Sequence, residues 1–261
     1  MTRLEAPRDE GRQGRCGIDA QDKRVAQRGR WIAAAIGGAW LAVHVGCIFF
    51  WRWSIAAAPL AVFIVLLQAW LSTGLFIVAH DCMHGSLAPG RPRWNAVVGA
   101  LCLGAYAGLS YAVLLPKHHA HHAAPGSADD PDFHADAPQR ALPWFGSFFR
   151  TYYTHGQLAR ITAAAIVYLL LGASLLNIVV FWAVPALLAL GQLFLFGTYL
   201  PHRHDGRPFA DKHHARSNTL GPMLSLITCF HFGAYHHEHH LSPGTPWWRL
   251  PALRRERLAR R

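Results

Sequence analysis

Two stretches of this 261-residue chain are almost free of charge, and they restrict what it can fold into. Between Trp31 and Ala79 the one charged side chain is Arg52, and between Ile161 and Pro201 there is none. A membrane span needs about 20 apolar residues at a rise of about 1.5 Å each. Each stretch is therefore long enough for a pair of spans. Trp31–Trp51 and Ile55–Ala79 form the first pair, turning at Arg52, Trp53 and Ser54. Ile161–Leu176 and Ile178–Leu200 form the second, with a break near Asn177. Composition agrees: 52% of residues are hydrophobic and 15% charged, where a soluble domain carries about 25% charged. So apolar a chain is not intrinsically disordered. Its five scattered cysteines do not read as a disulfide framework. The net charge of +11 is a poor fit to nucleic-acid binding, because little polar surface is left for it.

The basic residues set an expected orientation. With four spans, both termini and the central loop share one side. That side holds 24 of the 25 Lys and Arg, leaving Arg52 alone on the other. Cytoplasmic loops retain Lys and Arg, so both ends are expected in the cytoplasm, at a bacterial cytoplasmic membrane. Asn95–Leu115 is a softer apolar run, interrupted by Gly99, Gly104 and Gly108. If it spanned, the central loop's basic residues would change sides, so it reads as a re-entrant or interfacial hairpin. Residues 1–30 are polar, lack the apolar core of a secretory signal, and are expected as a flexible cytoplasmic tail. Residues 31–251 form the membrane domain, and 252–261 a basic cytoplasmic tail.

Eighteen histidines is many for such a chain, and they are clustered. Only His44 falls inside an expected span. His80 and His84 follow the second span and are four apart, so they share a helix face. His118, His121 and His122 form an H-x-x-H-H pattern after the hairpin, with His119 pointing elsewhere. His236, His239 and His240 repeat it, leaving out His237. His202 and His204 lie at the end of the fourth span. All the groups sit at one expected membrane face, and ionisable clusters at membrane depth mark function. Zinc sites use three or four protein ligands, so eight patterned histidines point to two ions. Imidazole suits zinc, copper, iron and nickel alike. A coordinating imidazole must be neutral, so metal affinity should fall as pH drops through the histidine range.

An H-x-x-x-H box followed by two H-x-x-H-H boxes resembles the membrane fatty acid desaturase and hydroxylase superfamily. The words around the boxes resemble its β-carotene ketolase branch: Phe76 to Gly85, Pro116 to His122, Asp129 to His134, Phe196 to Arg203, Cys229 to Leu241 and Pro246 to Pro251. Cys82 departs from that pattern, standing where a small residue such as alanine is expected. The resemblance implies an all-α integral membrane protein with four transmembrane helices, a re-entrant or interfacial hairpin and a cytoplasmic His-box dimetal site. It implies two iron ions held by His80, His84, His118, His121, His122, His236, His239 and His240, with His202 as a further ligand. Asp81, Asp129, Asp130, Asp132, His204, His231 and Glu238 become candidates for supporting those ligands. The implied activity is an O2-dependent monooxygenase. Two successive hydroxylations at the allylic carbon 4 of a β-ionone ring, then dehydration, convert β-carotene to echinenone and canthaxanthin, as in astaxanthin-type pigment biosynthesis. The implied partners are the carotenoid in the bilayer and an external electron donor such as ferredoxin, because the chain carries no glycine-rich dinucleotide fingerprint. The boxes alone fit a fatty acid desaturase or hydroxylase, or a carotenoid hydroxylase, equally well. A histidine-rich zinc transporter fits poorly, since the spans offer little beyond His44, Gln68 and Gln192 to line an ion path.

Overall fold

The computed structural model describes residues 11–260, with side chains from residue 21 onward, and the described chain contains helices and no strand. Helix α1 (Gly11–Phe50) turns through Trp51–Ser54 into α2 (Ala58–Met83). The Ser54 hydroxyl accepts from the Ala57 backbone N–H and so opens the new helix. Residues 11–30, expected as a flexible tail, are instead the first turns of α1. Residues 1–10 of that expected tail lie outside the described residues.

Among the described residues, three helical runs are long and apolar enough to cross a membrane: Gln21–Phe50, Ile55–Met83 and Leu175–His202. Helices α3 (Pro92–Ala107) and α4 (Tyr111–Ala123) pass the same test as a pair bent by 102°. The bend is the geometry of a re-entrant loop or a broken span. Gly108 makes it, at φ +63, a backbone conformation that favours glycine. Side chains at the start of α6 (His155–Leu170) hold the bend. Gln157 donates to the Ala107 carbonyl and Arg160 to that of Gly108.

After α5 (Ala141–Tyr152) and α6, the chain enters α7, the helical run Leu175–His202. The sequence places a break near Asn177, but the structure puts it at Gly172, where φ is +92. Asn177 belongs to α7 and clamps the turn between α1 and α2. It accepts from the Trp53 indole and donates to the carbonyls of Ile48 and Trp51. An asparagine among apolar residues reads as a break, yet here it satisfies the polar backbone of a distant turn. Helix α6 covers His155–Leu170, 16 residues, in place of the expected span Ile161–Leu176.

The second half of α2 is the hub of the fold. From Leu71 to Met83 every residue except Phe76 is buried, against α1, α3 and α7. Such all-round burial makes this a core helix rather than an amphipathic one. It carries His80 and His84 into the protein interior. Helix α8 (Pro222–Cys229) ends in a tight turn, with Phe230 and His231 both at positive φ. Gly233 then packs on the Phe196 carbonyl, 2.6 Å from where a Cβ would stand. This turn aims α9 (His236–Leu241) back under the other boxes. Helix α10 (Leu250–Ala259) includes most of the expected basic tail, and Leu250 and Leu253 pack it on Tyr235.

Candidate metal centre

The nine expected ligands fall into two groups. His80, His84, His118, His122 and His239 form one, and His121, His202, His236 and His240 the other. Within each group the candidate ligand atoms lie within 4.8 Å of one another. That spread suits a single ion, since a metal–imidazole bond is about 2.1 Å long.

Helical spacing explains the sorting. In α4, His118 and His122 are four apart and face the first group, while His121 is turned toward the second. In α9 the pattern is reversed: His236 and His240 form the pair in the second group, and His239 crosses to the first. Each H-x-x-H-H box therefore contributes to both groups.

The donor chemistry fits a cation. The Nε2 atoms of His84 and His118 are 2.6 Å apart, those of His122 and His239 3.0 Å, and those of His202 and His236 2.8 Å. Asp130 accepts from His121 Nδ1 at 2.9 Å, and the His214 carbonyl accepts from His202 Nδ1 at 2.8 Å. With Nδ1 protonated, each of these two neutral rings has a lone pair at Nε2 for its group. Both ring nitrogens of His80 are buried and have no hydrogen-bond partner among the described residues. Buried polar atoms normally find a hydrogen-bond partner, and a metal ion would give His80 one. In α9, burial first and neighbouring imidazoles second push His236, His239 and His240 well below their ordinary pKa. They stay neutral, as ligands must.

The supporting candidates divide. Asp130 is buried and accepts from the backbone of Gly126 and Asp132 as well as from His121. Asp132 lies 3.8 Å from the same His121 nitrogen and accepts from the Tyr152 hydroxyl. Asp81 stands 3.7 Å from His80 Nδ1 and accepts from the Trp247 backbone. Asp129 is exposed. Glu238 supports no ligand ring: Ser217 and Arg254 take its carboxylate, which braces α9 on α10. His231 bonds Ser225, and His204 packs on Phe133 and Phe209. Neither joins a ligand group. The histidines skipped by each box are anchors, His119 on the Met83 carbonyl and His237 on Asp211.

A cavity of about 400 Å³ begins at the centre, where His80, His118, His121 and His236 line it. It follows one stripe of α7: Ile178, Trp182, Ala186, Leu190, Leu193 and Gly197. From Ile178 to Thr198 the helix rises about 30 Å, the thickness of a bilayer core. Tyr106, Leu114, Ile161 and Ala165 form part of the facing wall. Leu158 and Leu187 line it too, yet are 50% and 62% exposed, so the cavity opens sideways on the face that lipid would cover. In the sequence the Phe, Trp and Tyr residues of the spans read as the lining of an apolar tunnel for a polyene, with ordinary packing as the alternative; the wall also takes Ala186, Leu190 and Leu193, which the sequence does not single out.

Comparisons with known proteins follow the same lines. The fatty acid desaturase family model matches residues 53–160 and 152–260. The chain is 48% identical to the β-carotene ketolase of Paracoccus sp. (strain PC1), over 86% of the chain and 91% of that protein. It is 42% identical to the β-carotene ketolase of Haematococcus lacustris over 75% of the chain and 62% of that protein. It is 40% identical to the zeaxanthin 4-ketolase of Chlamydomonas reinhardtii over 70% of the chain and 42% of that protein.

Proposed function

The chain belongs to the fatty acid desaturase family, among its β-carotene ketolases, and on that premise we propose that it places 4-keto groups on the β-ionone rings of carotenoids. The observation that carries this reading is the cavity. It is apolar, as long as the bilayer core is thick, open toward lipid, and ends on histidines of both groups. A carotenoid is a rigid, extended polyene with a ring at each end, comparable in length to that core. Laid along α7, it brings one ring against His80, His118, His121 and His236.

The two groups would hold two iron ions, His80, His84, His118, His122 and His239 the first, and His121, His202, His236 and His240 the second. Bound iron supplies O2 activation and the oxidising power to break the allylic C–H bond at carbon 4. The residues of the chain provide position and shielding. Asp130 and the His214 carbonyl keep Nε2 of His121 and His202 free for metal. The apolar walls exclude water from the reacting carbon. Oxygenation twice at one carbon gives a geminal diol, which loses water to leave the ketone. Each oxygenation consumes one O2, two electrons and two protons and releases one water. The electrons come from an external carrier such as a ferredoxin. The placing of 24 of 25 basic residues on one side supports four spans, with the centre and both termini at the cytoplasmic face of a bacterial membrane.

Expression in cells that accumulate β-carotene tests the reading. Mono- and diketo carotenoids are expected among the extracted pigments. Hydroxylated carotenoids alone would point to an alcohol-forming enzyme, and unchanged pigment in a well-expressed sample would overturn the proposal.

A further inference from the structure

The end of the cavity far from the histidines has its own chemistry. Ile161, Ala165, Ile178 and Ala183 line it with hydrocarbon. Among them stands Trp182, the one tryptophan on the cavity wall among the described residues. It is 7% exposed, and its indole N–H makes no hydrogen bond among the described residues and, unlike those of Trp51, Trp247 and Trp248, is not fully sealed from its surroundings. Elsewhere in the fold Trp40, Trp53, Trp70 and Trp144 each donate to a named acceptor, whereas the indole N–H groups of Trp51, Trp247 and Trp248 are buried without one and none of the three lines the cavity. Behind Trp182 the ring of His44 sits edge-on at 5.7 Å and that of Tyr168 at 5.6 Å. Those two groups hydrogen-bond each other, and neither is hydrogen-bonded to the Trp182 indole among the described residues.

The backbone marks the same place. Helix α7 contains two π-helical turns, Val179–Ala183 and Phe194–Tyr199. One carries Trp182 and the other carries Gly197 and Thr198 beside the metal centre. Such turns are rare and concentrate at functional sites. Both ends of the cavity are thus built on a widened turn of the same helix, about 24 Å apart from Trp182 to Thr198.

We propose that this far end is a second ring site and that Trp182 reads the ring not being oxidised, donating its indole N–H to an oxygen on it. The inference rests on carotenoid ketolation as the reaction. β-Carotene has no oxygen to offer, and with it the donor stays unpaired. The mono-4-keto product carries a carbonyl acceptor on one ring. Turned end for end, it places that carbonyl at Trp182 and its unreacted ring at the histidines. Trp182 thereby favours oxidation of the second ring over release of the half-oxidised carotenoid. One neutral hydrogen bond to a donor otherwise left bare corresponds to a preference of about three- to tenfold.

The test uses the full-length, metal-loaded enzyme in phosphatidylcholine vesicles, with β-carotene and its mono-4-keto derivative as separate substrates. In the wild type, KM for the mono-4-keto substrate is expected at least threefold below that for β-carotene. Trp182→Phe keeps an aromatic side chain, smaller than indole, and removes the donor. It should lower the ratio of kcat/KM for mono-4-keto to that for β-carotene by about three- to tenfold, and mono-4-keto product should accumulate. An unchanged ratio in Trp182→Phe overturns the inference, as do equal KM values in the wild type should the variant fail to fold. Absence of any 4-keto product from β-carotene would overturn the ketolation reading and this inference with it.

Discussion

The Nε2 atoms of His122 and His239 lie 3.0 Å apart, although 117 positions separate them in the chain. They belong to different H-x-x-H-H boxes and meet because α4 and α9 each send one histidine across to the other's group. The two histidine groups are therefore cross-braced, since each draws on both helices.

Loss of His239 is expected to empty the first position and disturb the second. His239→Ala should abolish keto product and lower iron from two per chain to one or less. His240→Ala should deplete the second position instead. Metal analysis of the purified variants, beside pigment analysis, checks this. Two iron per chain in His239→Ala would remove that residue from the ligand set.

Asp130 acts through His121 rather than on substrate. Its carboxylate accepts from Nδ1 at 2.9 Å while held by the backbone of Gly126 and Asp132. Removing such a support typically weakens metal binding or activity about 10- to 100-fold. Asp130→Ala should show a loss of that size, with iron released at lower chelator concentration. Wild-type resistance to the chelator would show that His121 needs no orienting partner.

The buried histidines of α9 make the stability of the metal-free protein pH-dependent. Burial lowers the pKa of His236, His239 and His240 below the ordinary 6.5. Below that pH the unfolded chain binds protons that the folded chain refuses. Stability therefore falls as pH drops from about 6.5, and these groups contribute no slope above it. Thermal melts of metal-stripped protein in detergent from pH 8 to about 5 should be level and then decline. Added iron should offset the decline by holding the rings neutral. A melting temperature that rises on acidification would contradict this assignment.

The cavity wall can be tested without touching the ligands. Ala165 lies on the facing wall, far from the histidines. Ala165→Phe should fill part of the channel and cut kcat/KM for β-carotene by roughly tenfold or more, given the sensitivity of catalysis to misplaced substrate. Iron content should stay at two per chain. Unaltered kinetics would show that the carotenoid takes another path.

Much of this was legible along the chain. Charge-free runs announced membrane-crossing helices, and helical spacing separated the candidate ligands of each box from the histidine it skips. Other features needed distant contacts. Asn177 reads as an interruption until Trp53, Ile48 and Trp51 are seen to use its amide. Glu238, adjacent to His239 and two residues from His236 and His240, reads as their support until Arg254 and Ser217 are seen to hold it. The pattern that picks the ligands cannot show which neighbour a side chain at the edge of the face will meet.

By itself the sequence singled out nine candidate histidines and placed them at the ends of apolar helices. These follow from local rules: the length of a span, the period of a helix and the chemistry of imidazole. Only the tertiary structure decided how nine histidines divide between two positions, and that a narrow channel leads from them along one stripe of α7 to Trp182. Both depend on how helices far apart in sequence cross, and so on packing, which no spacing within a single segment encodes.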